Sequence, residues 1–299
     1  MHELTKIITA ARDLIAANQR GVVVTVVRTQ GSTYRRAGAR ALIAEDGRAV
    51  GAISGGCLER DLAQRVRAWL DDLSPRVVSY DSTRADDVVF GLGLGCRGKL
   101  ELLVEPFDAA HPPRLVRDFA WNGGEAVEWT TTLPDGEVLV EVIRPERAVV
   151  LFGGSADAEP VEQLARAVGW RVDVVTARTC HPNDVASKLD LTPYDAAIVM
   201  THNFLFDVEL LRALLATRIP YIGILGPKKR GDELLAELGA AREPRIHSPI
   251  GLDLGGETPE EIALSIVAEV QAVLNRRDAK PLRELTRPIH DDANAAAWA

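Results

Sequence analysis

The stretch RAVVLFGGSADAEPVEQLARAVGWRVDVVTAR, residues 147–178, decides the fold of the second half of the chain. Its pattern predicts a strand, a glycine-rich turn, a helix and a second strand, within the roughly 30 residues that a βαβ unit needs. The predicted strands are almost continuously apolar, which is typical of strands covered on both faces of a parallel sheet. The stretch therefore predicts the start of a Rossmann-like, doubly wound parallel sheet.

The same alternation of strands and helices continues toward the C-terminus. Apolar strands are predicted at residues 194–202 and 221–226, with a short fifth strand within 245–250. A long helix begins at Thr258, which forms a capping-box pattern with Glu261. We assign residues 146–277 to this domain and residues 278–299 to a C-terminal tail. The tail has no periodic face and is expected to be mobile or packed on a partner.

The first half, residues 1–145, has the mixed pattern of an α+β domain. Helices are predicted at residues 1–20 and 58–73, and strands at 21–29, 76–82 and 99–107. Hairpins are predicted to turn at Asp46 and Gly47 and at residues 134–136. The predicted fold class is α/β, with an N-terminal α+β domain followed by a C-terminal Rossmann-like sheet.

The glycine-rich turn of the second half departs from the dinucleotide-binding pattern. It reads Gly153, Gly154, Ser155, so a side chain stands where the second glycine should let a pyrophosphate approach the backbone. Asp157 adds negative charge nearby, and Thr176 replaces the acidic residue that would bind the ribose hydroxyls. The pattern favours a scaffold with an altered or absent dinucleotide site. NAD(P) binding stays open as the alternative, with Arg178 available for a 2′-phosphate.

Two further positions beyond the strand ends could hold an anion. His202 follows the third strand, and the basic run Lys228, Lys229, Arg230 follows the fourth. Ligands in such folds bind beyond the carboxyl ends of the strands. Phosphate binding by these residues and a solvated, basic helix start both remain open.

Two cysteines lie between glycines in the first half. Cys57 stands in Ser-Gly-Gly-Cys-Leu-Glu, residues 54–59, at the predicted start of a helix, and Cys96 stands in GLGLGCRG, residues 91–98. The positive end of a helix dipole and a neighbouring arginine both favour a thiolate. Glycines also let a bulky group approach the backbone. Each cysteine is therefore predicted to be exposed and reactive, whereas Cys180 is read as a buried or incidental thiol.

Several function classes are excluded by composition and spacing. The chain of 299 residues has a net charge of −8, which argues against general nucleic-acid or anionic-membrane binding. No stretch is long enough for a membrane span or a signal peptide. Three cysteines are too few for a disulfide scaffold, so we expect a cytoplasmic protein. No Cys-x-x-Cys spacing or close histidine supports a zinc site or protease-type catalysis.

The whole chain resembles the XdhC/CoxI family, whose members are maturation factors for xanthine dehydrogenase and related molybdenum hydroxylases. The resemblance extends from about Leu4 to Arg277. It is carried by GSTYRRAGARALIAEDGRAVGAISGGCLE and GLGLGCRG in the first half, and by residues 147–178, YIGILGPKKR and IHSPIGLDLGGETPEEIALSIVAEV in the second. The chain departs from the family pattern at Arg97, Ser155 and Thr176.

The resemblance implies a chaperone that binds the molybdenum cofactor (molybdopterin), promotes its sulfuration and inserts it into an apo-enzyme of the xanthine or CO dehydrogenase type. It implies a cytoplasmic accessory factor rather than a turnover enzyme, with a cysteine desulfurase as a further partner. The apolar hairpins and the tail, which has no periodic face, favour a homodimer. The implied site residues are Gly31, Ser32, Arg40, Gly55, Gly56, Cys57, Glu59, Gly95 and Cys96.

The chemistry of these residues suits that role. Thiolates from Cys57 and Cys96 are soft ligands for the metal or for a persulfide in transit, with Glu59 beside them. Basic side chains, either Arg35, Arg36 and Arg40 or the run from Lys228, could hold the phosphate of molybdopterin. The alternative function is an NAD(P)-dependent oxidoreductase that uses the Rossmann-like domain.

Overall fold

The structure is a computed structural model that describes residues 2–31, 33–81, 98–121, 124–240, 243–286 and 297–298. These residues divide into two compact units. The first unit runs to Pro145 and includes the C-terminal strand Ala297–Trp298, and the second unit begins at Glu146.

The first unit is a five-stranded antiparallel sheet with helices on both faces, joined by a smaller sheet. Its elements are α1 (His2–Ala16), β1 (Gly21–Gly31), β2 (Arg40–Ala44), β3 (Ala49–Gly51), α2 (Cys57–Leu70), β4 (Arg76–Asp81), β5 (Gly98–Phe107), α3 (Arg114–Arg117), β6 (Val127–Thr132) and β7 (Val138–Ile143). The strand order is β3-β2-β1-β5-β4. The predicted hairpin at Asp46 and Gly47 is confirmed, because β2 and β3 pair antiparallel across it.

The central strand β1 is apolar without alternation because both of its faces are buried. Val22 and Val24 pack against α2, and Val23 packs on the opposite face against α1. Each helix offers an apolar stripe to the sheet, with Leu58 and Leu62 on α2 and Ile7 on α1. Burial on both faces removes the period-two pattern of a strand with one wet face.

A second small sheet in the first unit joins β6, β7 and the C-terminal strand. β6 and β7 form the predicted hairpin, and Ala297 and Trp298 pair antiparallel with Val140 and Leu139 of β7. The sequence indicates no strand here, because two residues are too few for a period-two pattern to show.

The second unit is a parallel five-stranded sheet with helices on both faces, which confirms the predicted fold class. Its elements are β8 (Ala148–Phe152), α4 (Ala158–Ala167), β9 (Arg171–Val175), α5 (Val185–Lys188), β10 (Ala196–Val199), α6 (Phe204–Leu215), β11 (Tyr221–Ile224), α7 (Lys228–Glu237), β12 (Ile246–His247) and α8 (Pro259–Leu274). The order β12-β11-β10-β8-β9 reverses between β8 and β10, which is where ligands bind in doubly wound sheets.

Helices cover both faces of this sheet. α4 and α8 cover one face through residues such as Val161 and Ile266, and α6 covers the other through Leu211 and Leu214. The helix predicted from Thr258 is confirmed, with both hydrogen bonds of the capping box present. Among the described residues, no helix combines the length and apolar character needed to cross a membrane.

Candidate functional site

Cys57 is the first residue of α2, and its side chain is half-buried. Gly55 and Gly56 precede it, both exposed, and a Cβ atom built on either would meet nothing within 4 Å. Gly56 has φ +105°, which a side chain rarely adopts, whereas Gly55 has no such constraint. The thiol therefore lies beside open glycine backbone, and its reactivity stays a prediction.

The loop before Cys57 is held by Ser54 and Glu59. The Ser54 hydroxyl accepts hydrogen bonds from the backbone N–H groups of Gly56 (3.0 Å) and Leu58 (3.1 Å), and it donates to Glu59 Oε2. Glu59 Oε1 accepts from the backbone N–H groups of Ile53 (2.7 Å) and Ser54 (2.8 Å). The two side chains thus satisfy three backbone donors of the loop and one, the N–H of Leu58, that the start of α2 would leave without a partner.

The hydrogen bonds of this loop lower the pKa of Glu59. Burial raises the pKa of the Glu59 carboxyl, but the Ser54 hydroxyl and the backbone N–H groups outweigh burial, so the pKa lies below the ordinary value of 4.5. A carboxylate that is already saturated with donors is a poor proton acceptor. The structure thus places Glu59 as the brace of the Cys57 loop, which differs from the catalytic role that the sequence suggests.

A second loop, residues 33–36, is tied to the Cys57 loop through Glu3 of α1. Glu3 Oε1 accepts hydrogen bonds from the backbone N–H of Ala52 (2.9 Å) and from Arg35 (3.1 Å), and Arg35 also bonds Glu3 Oε2 at 2.5 Å. The negative charge of Glu59 contributes to the raised pKa of Arg35, after the larger effect of Glu3. The structure therefore brings the basic loop next to the segment that leads to the thiol.

Arg40 is buried, with only 6% of its surface exposed. Its Nη2 lies 2.5 Å from Glu141 Oε1, and its Nη1 donates to the carbonyl of Gly38 (2.9 Å). Burial raises the pKa of Glu141, and the positive charge of Arg40 opposes that shift. This ion pair joins β2 to β7. Arg40 thus fixes the chain that follows the basic loop (residues 33–36) through Gly38 and Glu141. The sequence predicts instead that Arg40 contacts a cofactor phosphate.

The remaining predicted residues of the first unit have mixed outcomes. Gly31 ends β1 with φ +75° and pairs with Gly98 at the start of β5. Ser32, Gly95 and Cys96 lie outside the described residues. The expectation that Cys57 and Cys96 share one opening therefore stays a prediction.

In the second unit, packing explains the glycines of the turn after β8. A Cβ atom on Gly153 would lie 2.6 Å from the carbonyl oxygen of Met200, and one on Gly154 would lie 2.8 Å from Thr176 Cγ2. Real Cβ atoms essentially never approach within 3.0 Å of another heavy atom. The two glycines are needed for β8 to leave the sheet between β9 and β10, whether or not a ligand binds.

Asp157 is the N-cap residue of α4, the helix start that a pyrophosphate would approach, but its side chain makes no capping hydrogen bond there. Its Oδ2 lies 2.9 Å from Nε2 of the exposed His202. Burial raises the pKa of Asp157, but hydrogen bonds from Ser155 and His202 outweigh burial and hold it below the ordinary value of 3.8. The predicted ligand residues Ser155 and His202 therefore face a carboxylate of the chain itself.

The basic residues at the start of α7 differ in exposure and in their ion-pair partners. Lys228 is 76% exposed and lies 3.6 Å from Asp232 one turn along the helix. Arg230 instead turns inward, 2.7 Å from Asp207, a carboxylate that is 1% exposed. The run is therefore part solvated helix start and part buried ion pair.

A cleft of about 430 Å³ opens beyond the ends of β8, β9 and β10. It is lined by Phe152, Gly153, Gly154, Ser155, Val175, Thr176, Ala177, Arg178, Cys180, Pro182, Thr201, Asn203, Phe206 and Leu210. Cys180 is buried, in agreement with its reading as a structural thiol. The cleft lies at the point where the strand order reverses.

The described residues offer no cluster of three or more His, Cys, Asp or Glu side chains that could hold a metal. The described part of the site therefore offers one soft sulfur atom, open backbone and a nearby basic loop. Such a donor set suits a metal that arrives already coordinated by its own organic ligand.

Sequence reasoning missed Ser54, Glu3 and Glu141 as organising residues. Ser54 gave no standard capping signal, because the N-cap of α2 is Gly56 and Glu59 lies five residues after Ser54, whereas a capping box needs a spacing of three. Glu3 and Glu141 gave no local signal, since their partners are 32 to 101 residues away along the chain.

The sequence matches two family descriptions. Residues 14–81 match the XdhC and CoxI family, and residues 149–270 match the XdhC Rossmann domain. A protein of Bacillus subtilis (strain 168) that is described as a probable xanthine dehydrogenase component is 30% identical over 312 aligned positions, which cover 86% of this chain and 94% of that protein.

Two further proteins are similar over most of their length. The molybdenum cofactor insertion chaperone PaoD of Escherichia coli (strain K12) is 26% identical, covering 88% of this chain and 86% of that protein. A crystal structure described as a xanthine dehydrogenase from Bacillus halodurans superposes with a TM-score of 0.77 at 29% identity, covering 93% of this chain and 98% of that chain.

Proposed function

The chain belongs to the XdhC and CoxI family, and from this premise we propose that it is a maturation factor that binds the molybdenum cofactor and delivers it to an apo molybdenum hydroxylase. One relative is named a molybdenum cofactor insertion chaperone, and another a probable component of xanthine dehydrogenase. These names support a client of the xanthine dehydrogenase type, and a client of the CO dehydrogenase type is proposed from the family resemblance.

The observation that carries the proposal is the half-buried thiol of Cys57 beside Gly55 and Gly56, both of which face open space. A thiolate is a soft ligand that suits a metal held on a sulfur-rich dithiolene. Open glycine backbone lets a flat and bulky cofactor approach without displacing side chains. Cys96 is proposed as the second sulfur at this site.

Basic side chains near the thiol support recognition of the cofactor phosphate. Arg35 and Arg36 lie in the loop that Glu3 ties to the Cys57 segment. A guanidinium binds phosphate through two parallel hydrogen bonds, which gives orientation as well as attraction. Arg35 and Arg40 are both paired with a carboxylate, but the Arg35 side chain is 31% exposed and that of Arg40 only 6%, so we assign the phosphate contact to this loop rather than to Arg40.

A chaperone must also release its cargo. A thiol and a few surface contacts bind less rigidly than a closed four-ligand cage, so transfer to the client needs no unfolding. Sulfuration is proposed to occur while the cofactor is held at this site. A thiol would release the sulfur of a desulfurase persulfide as sulfide, forming a disulfide, and the sulfide would replace the oxo ligand, whose oxygen would leave as water. Two copies of the chain are proposed to act together.

The proposal is tested by loading the purified protein with molybdopterin cofactor and measuring the molybdenum and visible absorbance retained after desalting. Cys57→Ala is expected to lower retention about tenfold or more, because it removes a metal ligand. Cys180→Ala is the matched control, since this buried cysteine lies in the other unit, and it should retain the wild-type amount.

Circular dichroism of each variant separates loss of binding from loss of fold. Wild-type retention in the Cys57→Ala/Cys96→Ala double variant, with a native spectrum, would refute the assignment of these cysteines to cargo binding.

The alternative of an NAD(P)-dependent oxidoreductase is less well supported. Asp157 puts a negative charge where the pyrophosphate would lie, and Ser155 stands in place of a glycine. Titration with NADH and NADPH distinguishes the two functions, because tight binding of either would favour the oxidoreductase.

A further inference from the structure

A small polar cavity lies inside the first unit. Residues of β1, β2, β5, α3 and β6 form it, among them Thr25, Arg40, Glu105, Arg114 and Thr131. Its volume is about 10 Å³, which is enough for about one water-sized particle. A single small ligand is therefore the largest occupant that the cavity can take.

The register of the five-stranded sheet brings three polar side chains of this cavity to one face. Thr25 of the central strand β1 pairs with Arg40 of β2 on one side and with Leu103 of β5 on the other. Glu105 lies two residues beyond Leu103, so it shares the face of Thr25, because side chains alternate along a strand. A hydroxyl, a guanidinium and a carboxyl thus meet in the interior, where polar groups need partners.

Several polar groups of the cavity have no hydrogen-bond partner. Thr25 is 1% exposed and Thr131 6%, and neither hydroxyl makes a hydrogen bond with a residue that the structure describes. Arg40 is as buried as Thr131, and its Nη2 makes no hydrogen bond, since the 2.5 Å contact with Glu141 is an ion pair without hydrogen-bond alignment. Buried donors without partners are costly, so these groups call for a ligand that accepts hydrogen bonds.

Glu105 is the acidic residue of the cavity lining. It makes no hydrogen bond or ion pair with the described residues. Burial raises its pKa above the ordinary value of 4.5, and the positive charges of Arg40 and Arg114 oppose that shift. β1 and β6 contribute uncharged residues to the lining. A neutral Glu105 carboxyl has an O–H that can donate a hydrogen bond into the cavity.

The cavity presents the positive side of two ion pairs. Arg40 is paired with Glu141, and Nε of Arg114 lies 3.3 Å from Oδ2 of Asp118, but neither carboxylate belongs to the lining. The Arg114 guanidinium also lies 5.4 Å from the centre of the Trp129 ring, which fixes its position. Two guanidinium groups attract an anion but have no net Coulomb attraction for a neutral water molecule.

We propose that this cavity binds one halide ion, held by the guanidinium groups of Arg40 and Arg114 and by the hydroxyl groups of Thr25 and Thr131. An ionised Glu105 would repel the ion, so the carboxyl takes up a proton when the ion binds. Both the proton and the halide come from the solvent. The bound ion connects β1 and β2 to β6, and the proposal does not depend on the proposed function.

Crystals of the full chain grown in sodium bromide test the site directly, because bromide scatters X-rays anomalously. We expect one anomalous peak in the cavity, within hydrogen-bond distance of Arg40 and Thr25. In solution, thermal unfolding is compared in sodium bromide and in sodium gluconate of equal ionic strength, since gluconate is too large for the cavity. Bromide should raise the unfolding midpoint by about 2–4 °C near pH 6 and by less near pH 8, where Glu105 gives up its proton more readily.

Thr25→Val removes a hydroxyl group and should abolish the bromide effect. Thr29→Val is the matched control, because Thr29 lies at the exposed end of the same strand. Glu105→Gln keeps the shape of the side chain without its charge, so its bromide effect should be equal at both pH values. Circular dichroism checks that each variant is folded.

Three results would overturn the proposal. The first is a cavity that holds water without an anomalous peak, and the second is a peak in the crystal without any bromide effect on the unfolding midpoint. The third is a full bromide effect in Thr25→Val, or an unchanged pH dependence of that effect in Glu105→Gln.

Discussion

At the scale of single residues, the thiol site is held by hydrogen bonds between residues that are close in the sequence. Ser54 and Glu59 together accept four backbone N–H groups of the Cys57 loop and bond each other. Because these acceptors are built in, the loop keeps its shape without a ligand. The position of Cys57 is thus preorganised, which lowers the ordering cost of binding a cargo.

The lowered pKa of Glu59 predicts a pH dependence for this loop. A carboxyl whose pKa is lower in the folded than in the unfolded chain stabilises the fold above its unfolded pKa, near 4.5, and this stabilisation is lost as the pH falls through the folded pKa. Glu59→Gln should lower the free energy of unfolding by about 1–3 kcal/mol at neutral pH, because a charged acceptor is lost. The difference from wild type should shrink as the pH falls below 4.5.

Urea unfolding from neutral pH down to about pH 3 measures this difference. Glu233→Gln is the control, since Glu233 is 55% exposed and lies 4.0 Å from Lys229. A Glu59→Gln difference that stays constant over the whole range would contradict the assigned role of the carboxylate.

At the scale of elements, the two glycines before α2 differ in whether the backbone requires them. Gly56 is required by its backbone angle of φ +105°, whereas Gly55 has neither a positive φ nor a close neighbour. In the turn after β8, close packing requires the glycines instead: a side chain on Gly153 would clash with Met200 after β10, and one on Gly154 with Thr176 after β9. Glycine by itself therefore does not identify a ligand site, but an unconstrained glycine beside a thiol is consistent with one.

Alanine substitutions at the two α2 glycines should consequently differ. Gly56→Ala should destabilise the protein by about 1–2 kcal/mol, the cost of a left-handed residue with a side chain. Gly55→Ala should change stability by less than about 0.5 kcal/mol. If the cofactor lies on this backbone, Gly55→Ala should nevertheless lower molybdenum retention.

Urea unfolding and molybdenum retention measured on the same samples separate these effects. Full retention in a normally stable Gly55→Ala variant would show that the cargo does not lie on this glycine.

At the scale of the whole molecule, the first unit is built from both ends of the chain. The C-terminal strand Ala297–Trp298 pairs with β7, so the second unit is inserted between β7 and that strand. β7 also carries Glu141, whose ion pair with Arg40 holds the base of the basic loop. The C-terminal strand therefore borders the element that supports the proposed phosphate-binding loop.

A chain that ends at Thr286 tests this connection. Each lost backbone hydrogen bond removes about 1 kcal/mol of local stability, so amide hydrogen exchange in β7 should become several-fold faster. Exchange in β11 of the second unit should not change. Unaltered exchange in β7 would mean that the C-terminal strand does not protect it in solution.

The sequence alone determined the class of each unit. Residues 147–178 predict the parallel sheet, because burial on both faces imposes continuous apolar strands and a fixed strand-turn-helix spacing. The glycine-flanked Cys57 was found for a similar reason, since helix starts and glycine turns are local features. The departures at Ser155 and Asp157 were also readable, because they concern the chemistry of single positions.

Only the tertiary structure decided which arginine side chains are paired with carboxylates and which stay exposed to a ligand. Arg35, Arg40 and Arg230 look alike in the sequence, yet Arg35 bridges to Glu3, Arg40 is buried against Glu141 and Arg230 is paired with Asp207. Their partners lie 23 to 101 residues away, and ion pairing over such separations depends on how the strands and helices pack. Local sequence patterns report which elements form, whereas the packing of those elements determines which side chains remain exposed to a ligand.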